Sequence, residues 1–253
     1  MKRIFTGLLI LFLISCSEDD SFVNNGFVKK VEVKDIYLGN LYSSFSDNYF
    51  YNDKNQVIKI ESEYDTNSFY EKVYSYDGEL IVKEASFLNS ELIESRSFEY
   101  DNFENLTKQV YSRPNSLNQE MEVIRTYEYY YDSNSKLIRE KYTFKNTEPI
   151  IYEYNYIGGN KVSYQKTDYS YVVIEYDSKK NPFSGVPYYN KIYDDYLFPT
   201  KNKLSIKKYS ISNDELTSES KFKNTYSSNG FLVKSESNLE DTGHQFIVTY
   251  TYN

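Results

Sequence analysis

The chain has 253 residues, 37 acidic and 29 basic, and a formal net charge of −8. An acidic surface repels nucleic acids and anionic lipid headgroups, so nucleic acid is not an expected partner. A single cysteine excludes an internal disulfide, and a single histidine excludes paired-histidine metal sites.

The first residues have the pattern of an export leader. Met1-Lys2-Arg3 is basic, and the apolar run Leu8–Ile14 is too short to span a membrane but typical of a signal peptide. It ends in Leu13-Ile14-Ser15-Cys16, which resembles a bacterial lipobox. We therefore predict a signal peptide over residues 1–15, as an N-terminal signal helix, and a lipid on Cys16. The alternative is an ordinary signal peptide with a chance cysteine.

An acidic cluster follows the cysteine: Ser17, Glu18, Asp19 and Asp20. It resembles the surface-export signal of Bacteroidota lipoproteins, with a solvated tether as the alternative. These residues predict an outer-membrane, lipid-anchored protein exposed on the cell surface. Loss of residues 1–15 would leave 27 basic and 37 acidic residues, a formal charge of −10.

The rest of the chain is a repeat built on a Tyr-Asp or Tyr-Asn core. The core tyrosines are 51, 76, 100, 131, 154 and 176, separated by 25, 24, 31, 23 and 22 residues. Self-similar units at such a period indicate a repeat architecture.

Each unit has the pattern of a β-hairpin. Aromatic and β-branched residues alternate with polar ones, and Asp-Gly or Asn-Gly supplies a tight turn, as in Tyr74–Lys83. A lone hairpin is marginal in water, so the units must pair edge to edge. We predict an all-β fold, an antiparallel meander of repeated hairpins curled into an open barrel or shell by its twist.

Three segments follow from this pattern. They are the signal peptide 1–15, an acidic tether with the first strand at 16–44, and the β domain 45–253. Prolines interrupt the domain at the loops 112–119 and 145–149. An insertion near 181–203 carries too many apolar residues for a free loop, and we expect a short helix or ordered cap there. Four closing strands are predicted after it, at 204–211, 220–226, 231–236 and 246–252.

The Tyr-Asp-x-x-Gly-x-Leu-x-Lys spacing resembles the YD repeat of Rhs-type proteins. Together with the lipobox and Tyr-Asp-Ser-Lys-Lys-Asn-Pro-Phe at 176–183, it is similar to Bacteroidota YD-repeat lipoproteins over residues 45–253. Rhs proteins wrap their repeats around a toxin; with about eight units here, we expect neither such a shell nor a toxin domain after the repeats. The resemblance implies architecture and location, without an activity.

No residue pattern indicates an enzyme, a cofactor or a metal. His244 adjoins Gly243 in the last hairpin and is expected to be a solvent-exposed turn residue. Asp194-Asp195 point apart, whereas glycosidase-type chemistry needs two facing carboxylates. Asp132–Lys136 starts like a calcium loop but has lysine where a ligand is needed, so a turn is favoured. Gly158-Gly159 lacks the lysine and helix of a phosphate-binding loop.

The tyrosines leave two interpretations open. They pack one face of the sheet with their hydroxyls at its wet edge, or some form a platform for a ligand. The candidate ligand contacts are Tyr129, Tyr130, Tyr131, Tyr188, Tyr189, Tyr193 and Tyr196.

Two functions follow. The first is a non-catalytic binding or scaffold module, anchored in the membrane by its N-terminal lipid, with a glycan or protein ligand. The alternative is a periplasm-facing carrier that holds a hydrophobic molecule in a half-barrel cavity.

Overall fold

The computed structural model describes residues 26–64, 68–116, 118–157, 160–165, 170–179, 181–183, 202–210, 212–239 and 243–253. The predicted signal helix lies outside these ranges, as do Cys16, Ser17, Glu18, Asp19, Asp20, Tyr188, Tyr189, Tyr193 and Tyr196. The cap predicted in the insertion also falls outside them, apart from residues 181–183. Among the described residues, no helix is long and apolar enough to cross a membrane.

The described residues form 16 antiparallel strands, each paired with the next along the chain. They are β1 Val28–Tyr37, β2 Asn40–Tyr51, β3 Val57–Tyr64, β4 Phe69–Asp77, β5 Leu80–Leu88, β6 Glu91–Tyr100, β7 Leu106–Pro114, β8 Met121–Tyr131, β9 Leu137–Phe144, β10 Ile150–Ile157, β11 Asn160–Gln165, β12 Ser170–Tyr176, β13 Lys203–Ser210, β14 Leu216–Tyr226, β15 Leu232–Leu239 and β16 His244–Tyr252. The all-β prediction of consecutive antiparallel hairpins is confirmed.

The two edges of the sheet meet. β1 pairs with β16 from Val28 opposite Tyr252 to Tyr37 opposite His244, so the strand order is a closed ring. The sequence predicted a sheet curled into an open barrel or shell. The pairing of β1 with β16 refines that prediction, because it joins the two edges of the sheet. Closure gives the edge strands backbone partners that an open sheet would leave exposed.

Most of the YD tyrosines lie at a β-bulge. The register shifts between Phe50 and Tyr51, so that Tyr51 faces Val57, and it shifts again between Tyr130 and Tyr131. Equivalent shifts precede Tyr76, Tyr100, Tyr176 and Tyr226. A bulge adds one residue to one strand and increases the local twist. Its recurrence from hairpin to hairpin adds twist at each repeat.

Hydroxyls of the repeat tyrosines tie neighbouring hairpins together. Five of them donate to the carbonyl oxygen of the first or second residue of a strand in the preceding hairpin. The bonds are Tyr51 to Val28 at 2.7 Å, Tyr76 to Val57 at 2.7 Å, Tyr100 to Ile81 at 2.7 Å, Tyr131 to Leu106 at 2.8 Å and Tyr252 to Leu232 at 2.6 Å. We call this set the tyrosine ladder. It explains why tyrosine, and not phenylalanine, recurs at this position.

The Asp or Asn after the tyrosine closes the turn. Asp132 Oδ1 accepts hydrogen bonds from the backbone N–H groups of Asn134 at 2.8 Å and Lys136 at 2.9 Å. Asn52 and Asp101 accept equivalent pairs of bonds. A short side chain that accepts from its own turn is the reason for Asp and Asn at such positions.

The glycine position of the motif has a left-handed backbone. Glu104 has φ of 60° where the corresponding Gly230 has 80°. This conformation costs a non-glycine residue about 1–2 kcal/mol, and glycine returns about 0.5–1 kcal/mol of that through its flexible unfolded state. Glu104→Gly is therefore expected to increase the free energy of unfolding by about 0.5–1 kcal/mol, which would appear as a higher urea midpoint. Gly78→Ala, at φ of 60° with open space around the added carbon, should lower it; a lower midpoint for Glu104→Gly contradicts the explanation.

The core lies on the inner face of the ring, at the end that carries the YD turns. Buried residues there include Val28, Tyr49, Ile81 and Leu106. Phe183, from the start of the insertion, is buried among them with its ring centroid 5.4 Å from that of Tyr49. We call the opposite end, formed by the other set of turns, the distal rim.

Candidate functional site

Charged side chains replace apolar ones on the inner face of β5 to β8. Glu84 lies on β5, Glu94 and Arg96 on β6, Arg113 on β7 and Arg125 on β8. We call these five residues the charged cluster. Glu84 faces Arg96 across one strand pair, and Tyr111 faces Arg96 and Arg125 across the next two. Cross-strand neighbours on one face lie about 5 Å apart, so the register brings these groups together.

Glu94 is the centre of the charged cluster. Arg96 Nε donates to Glu94 Oε1 at 3.1 Å, and Arg113 Nη2 donates to Glu94 Oε2 at 3.2 Å. Arg125 Nη2 lies 3.7 Å from the same Oε2 atom. Arg96 also contacts Glu84, with 3.3 Å between Nε and Oε1. Both carboxylates are buried, so these ion pairs are what makes their burial tolerable.

Tyr111 lies between two guanidinium groups. The Cζ atoms of Arg96 and Arg125 are 4.2 Å and 4.0 Å from the centre of its ring. Such cation–π contacts favour both arginines at these positions beside the phenol. Burial raises the pKa of Tyr111 to about 12, although the two arginines act in the opposite direction. The phenol therefore stays neutral at physiological pH.

An aromatic row continues from Tyr111 across β8 and β9. The ring centroids of Tyr111 and Tyr127 are 5.6 Å apart, and those of Tyr127 and Tyr142 are 4.8 Å apart with an angle of 26° between the planes. We call Tyr111, Tyr127 and Tyr142 the aromatic row. Together with the charged cluster it gives this part of the inner face both cationic donors and flat apolar surfaces.

Arg125 has unused hydrogen-bonding capacity. Its Nε atom is buried and has no hydrogen-bond partner among the described residues. Its Nη2 atom is too far from Glu94 for a hydrogen bond. Arg113, on the neighbouring strand, has 57% of its side chain exposed. Arg113 and the Nη2 atom of Arg125, but not the buried Nε atom, can therefore donate to an additional acceptor that reaches the inner face from the distal rim.

The three consecutive tyrosines on β8 do not form one surface. Tyr129 faces inward and packs against the core, and Tyr131 uses its hydroxyl in the tyrosine ladder. Tyr130 points outward, 41% exposed, near the guanidinium of Arg139. The side chains alternate because successive residues of a strand face opposite sides. Ligand contact by these tyrosines stays a prediction, with Tyr130 separated from the other two by the sheet.

His244 is not the exposed turn residue that the sequence suggested. It begins β16 and is half-buried, with Nδ1 2.8 Å from Asp35 Oδ1. Its ring lies 4.7 Å from that of Tyr37 and 5.7 Å from that of Tyr42. Residues from β1 and β2 reach it because β1 and β16 are paired, which the sequence did not reveal.

Asp47 is a half-buried carboxyl on β2 whose pKa is raised, because its partial burial outweighs the hydrogen bond from Ser62 and the charge of Lys72. A raised pKa means that the folded state holds the proton more tightly than the unfolded state. Its ionisation therefore costs stability as the pH rises above the ordinary value of 3.8, and the cost is fully present above the folded-state pKa.

Asp47→Asn is accordingly expected to raise the urea midpoint at pH 7 and to leave it unchanged near pH 3. Asparagine keeps an acceptor for the Ser62 hydroxyl, which lies 2.5 Å from Asp47 Oδ1. Asp132→Asn is the control of opposite sign, since backbone hydrogen bonds lower the pKa of Asp132. A gain for Asp47→Asn that is equal at both pH values would exclude ionisation as its cause.

Sequence reasoning missed the charged cluster, although a signal was present. The inner face of β6 reads Glu94, Arg96, Phe98, Tyr100, so two charges share the face of two core aromatics. On β8, Arg125 shares a face with Tyr127 in the same way. Charges on the apolar side of adjacent hairpins indicate a polar region inside the sheet.

The architecture defines the class of this protein: a closed ring of antiparallel hairpins with bulges at its repeat tyrosines and a charged, aromatic region on its inner face. No protein-family profile matches the sequence, and no curated protein matches it. Solved structures do match.

A porin-like protein from Bacteroides uniformis superposes with a TM-score of 0.57, covering 89% of this chain and 96% of that one at 10% identity. A porin-like protein from Bacteroides vulgatus has a TM-score of 0.41 at 10% identity, covering 90% and 99%. TcdB2-TccC3 has a TM-score of 0.29 at 12% identity, covering 87% of this chain and 16% of that one. The first likeness shows a shared fold.

Proposed function

We propose that this protein is a non-catalytic binding module of the bacterial cell envelope, a YD-repeat lipoprotein anchored through Cys16. Its ligand lies against the inner face of β5 to β9. The observation that carries the proposal is the charged cluster beside the aromatic row, because Arg113 is largely exposed and the Nη2 atom of Arg125 lies beyond hydrogen-bond distance of Glu94. Pockets that combine apolar surface with a few placed polar groups are typical of binding sites.

The pairing of the carboxylates supports binding over catalysis. Glu84 and Glu94 both contact Arg96, at 3.3 Å and 3.1 Å, so an arginine separates them instead of a cleft. A catalytic pair needs carboxyl groups that face a reacting bond. Glu84 and Glu94, which form ion pairs with arginines, serve to orient the arginine side chains.

The polarity of the inner face disfavours a carrier of hydrophobic molecules. Ser86 and Gln109 are buried there, next to the charged cluster. The partly exposed guanidinium groups of Arg113 and Arg125 would lose water contacts to an apolar molecule without gaining hydrogen bonds in return. A ligand with polar groups of its own is the better complement.

Location on a lipid tether is supported by the outer face. Its side chains form ion pairs such as Lys59 with Glu61 at 2.6 Å, Lys141 with Glu128 at 2.6 Å and Lys207 with Glu175 at 2.9 Å. Charged groups are costly in hydrocarbon, so membrane contact through the anchor fits this face better than contact through the strands. The Bacteroides origin of the porin-like neighbour is compatible with an envelope protein.

Two measurements test the proposal. Intact cells that make the wild-type protein are treated with protease, alongside cells that make the triple variant Glu18→Ala, Asp19→Ala, Asp20→Ala. We expect the wild type to be cleaved and the variant to be protected. Protection of both overturns the surface location.

The binding role is tested by native mass spectrometry of the full chain purified in mild detergent, and by thermal shift with a panel of neutral and acidic oligosaccharides and peptides. We expect at least one polar compound to raise the melting temperature, and no lipid to be retained beyond the anchor. A tightly retained apolar molecule would establish the carrier function in its place.

A further inference from the structure

We infer that the ligand of the charged cluster carries a carboxylate next to a flat apolar face. Arg113 and Arg125 bind the carboxylate, and Tyr127 packs against the apolar face. This inference rests on the proposed binding function and names its ligand class.

The sharing of one carboxylate among three arginines favours an anionic ligand. The charged cluster holds three guanidinium groups and two carboxylates. Glu94 is shared by Arg96, Arg113 and Arg125, and the contact to Arg125 is the longest of the three at 3.7 Å. A carboxylate at the rim would give Arg113 and the Nη2 atom of Arg125 an acceptor that they need not share with Arg96. A planar guanidinium matches a carboxylate with two parallel hydrogen bonds.

The site is reached from the distal rim. Arg113 lies one residue before Pro114, where β7 ends, and more than half of its side chain is exposed. Its guanidinium meets the same Glu94 oxygen that Arg125 approaches. An anion that entered at the rim would therefore meet Arg113 first and Arg125 next.

A flat apolar surface lies beside these donors. Phe144 faces Arg125 across the β8–β9 pair and is 46% exposed, and Tyr142 faces Tyr127 in the same way. Tyr127 stacks on Tyr142 at 4.8 Å. Aromatic rings bind flat apolar faces, including those of sugars and of other rings.

The direction of binding is set by a third carboxylate of the inner face. Glu140, on β9, lies four residues from Phe144 in the direction of the YD turns, and Tyr154 donates its hydroxyl to Glu140 at 2.8 Å. Like charges repel, so the ligand carboxylate should stay near the rim and the apolar face should point inward. Both an acidic sugar and an aromatic carboxylic acid have this chemistry.

Isothermal titration calorimetry of the full chain in mild detergent tests the inference. The probes are trigalacturonate, neutral galactotriose, benzoate and inorganic phosphate. The variants are Arg125→Lys and Tyr127→Ala, with Arg139→Ala as the matched control. Arg139 lies on the outer face beside Glu153, so its loss removes an arginine without touching the inner face. Thermal melts verify that each variant is folded.

We expect trigalacturonate or benzoate to bind, with galactotriose and phosphate at least tenfold weaker. Arg125→Lys should weaken binding about tenfold although it keeps the charge, because lysine cannot make two parallel hydrogen bonds. Tyr127→Ala should also weaken it, and Arg139→Ala should not. Tighter binding of trigalacturonate than of benzoate identifies the ligand as an acidic sugar. Tighter binding of benzoate identifies it as an aromatic carboxylic acid.

Three results overturn the inference in distinguishable ways. Equal binding of galactotriose, or tighter binding of phosphate, removes the carboxylate class but leaves the binding function intact. If Arg139→Ala weakens probe binding as much as Arg125→Lys does, the binding site lies outside the charged cluster. Absence of binding by these probes and by every compound of the thermal-shift panel removes the proposed function as well.

Discussion

Tyr131→Phe is expected to destabilise the protein by about 1–3 kcal/mol, the cost of leaving a buried hydrogen-bonding group unsatisfied. The neighbouring change Tyr130→Phe should stay within about 0.5 kcal/mol, as surface substitutions usually do. Both variants remove one oxygen atom from adjacent residues of β8. They differ in that Tyr131 donates to Leu106 in the tyrosine ladder, whereas Tyr130 points outward.

The effect should repeat along the ladder. Tyr76→Phe and Tyr100→Phe each remove a 2.7 Å bond to the preceding hairpin. Because the two bonds join successive hairpins, the double variant should be destabilised by at least the sum of the single effects, beyond about 2 kcal/mol. Urea unfolding followed by circular dichroism measures each difference. Equal midpoints for Tyr130→Phe and Tyr131→Phe would show that the ladder hydroxyls contribute nothing to stability.

Glu94→Ala is expected to have the largest effect of any single change described here. Removal of one partner from a buried ion pair costs about 3–5 kcal/mol, because the remaining charge is left uncompensated. Here the loss removes the carboxylate that Arg96, Arg113 and Arg125 share, although Arg96 keeps its contact with Glu84. Since small domains are stable by about 5–15 kcal/mol, such a loss is a large share of the total.

Glu99→Ala is the matched control. Glu99 lies on the same strand, β6, but its side chain is 58% exposed and pairs with Lys108 on the outer face. Exposed ion pairs contribute about 0–1 kcal/mol. A urea midpoint for Glu94→Ala close to that of Glu99→Ala would mean that water reaches the charged cluster freely. Glu94→Gln removes the charge but keeps the volume of the side chain. We expect it to destabilise the protein nearly as much as Glu94→Ala does, because it removes the negative charge that the three guanidinium groups share.

The repeat was predictable because its physical causes are local. Alternation of aromatic and polar residues sets the strand faces, and Asp132 closes its own turn within four residues. The choice of tyrosine over phenylalanine was not explained by the sequence, since the hydroxyl of Tyr131 bonds to Leu106, 25 residues away. The ladder becomes visible only when the hairpins are placed side by side.

The candidate site was less predictable. Glu94 and Arg125 lie on separate hairpins, and only the cross-strand register through Tyr111 brings them to the same place. The candidate tyrosines were chosen for their density in the sequence. Density does not identify a face, and Tyr130 and Tyr131 lie on opposite sides of the sheet.

The sequence by itself determined the all-β class, the antiparallel hairpins and the repeat, because turn chemistry and side-chain alternation act over a few residues. Tertiary structure decided the closure of the ring and the assembly of the charged cluster. The pairing of β1 with β16 joins residues far apart in the chain, such as Asp35 and His244, whose separation is 209 positions. Contacts at such separation depend on the twist that accumulates over all the strands, and no local pattern encodes that sum.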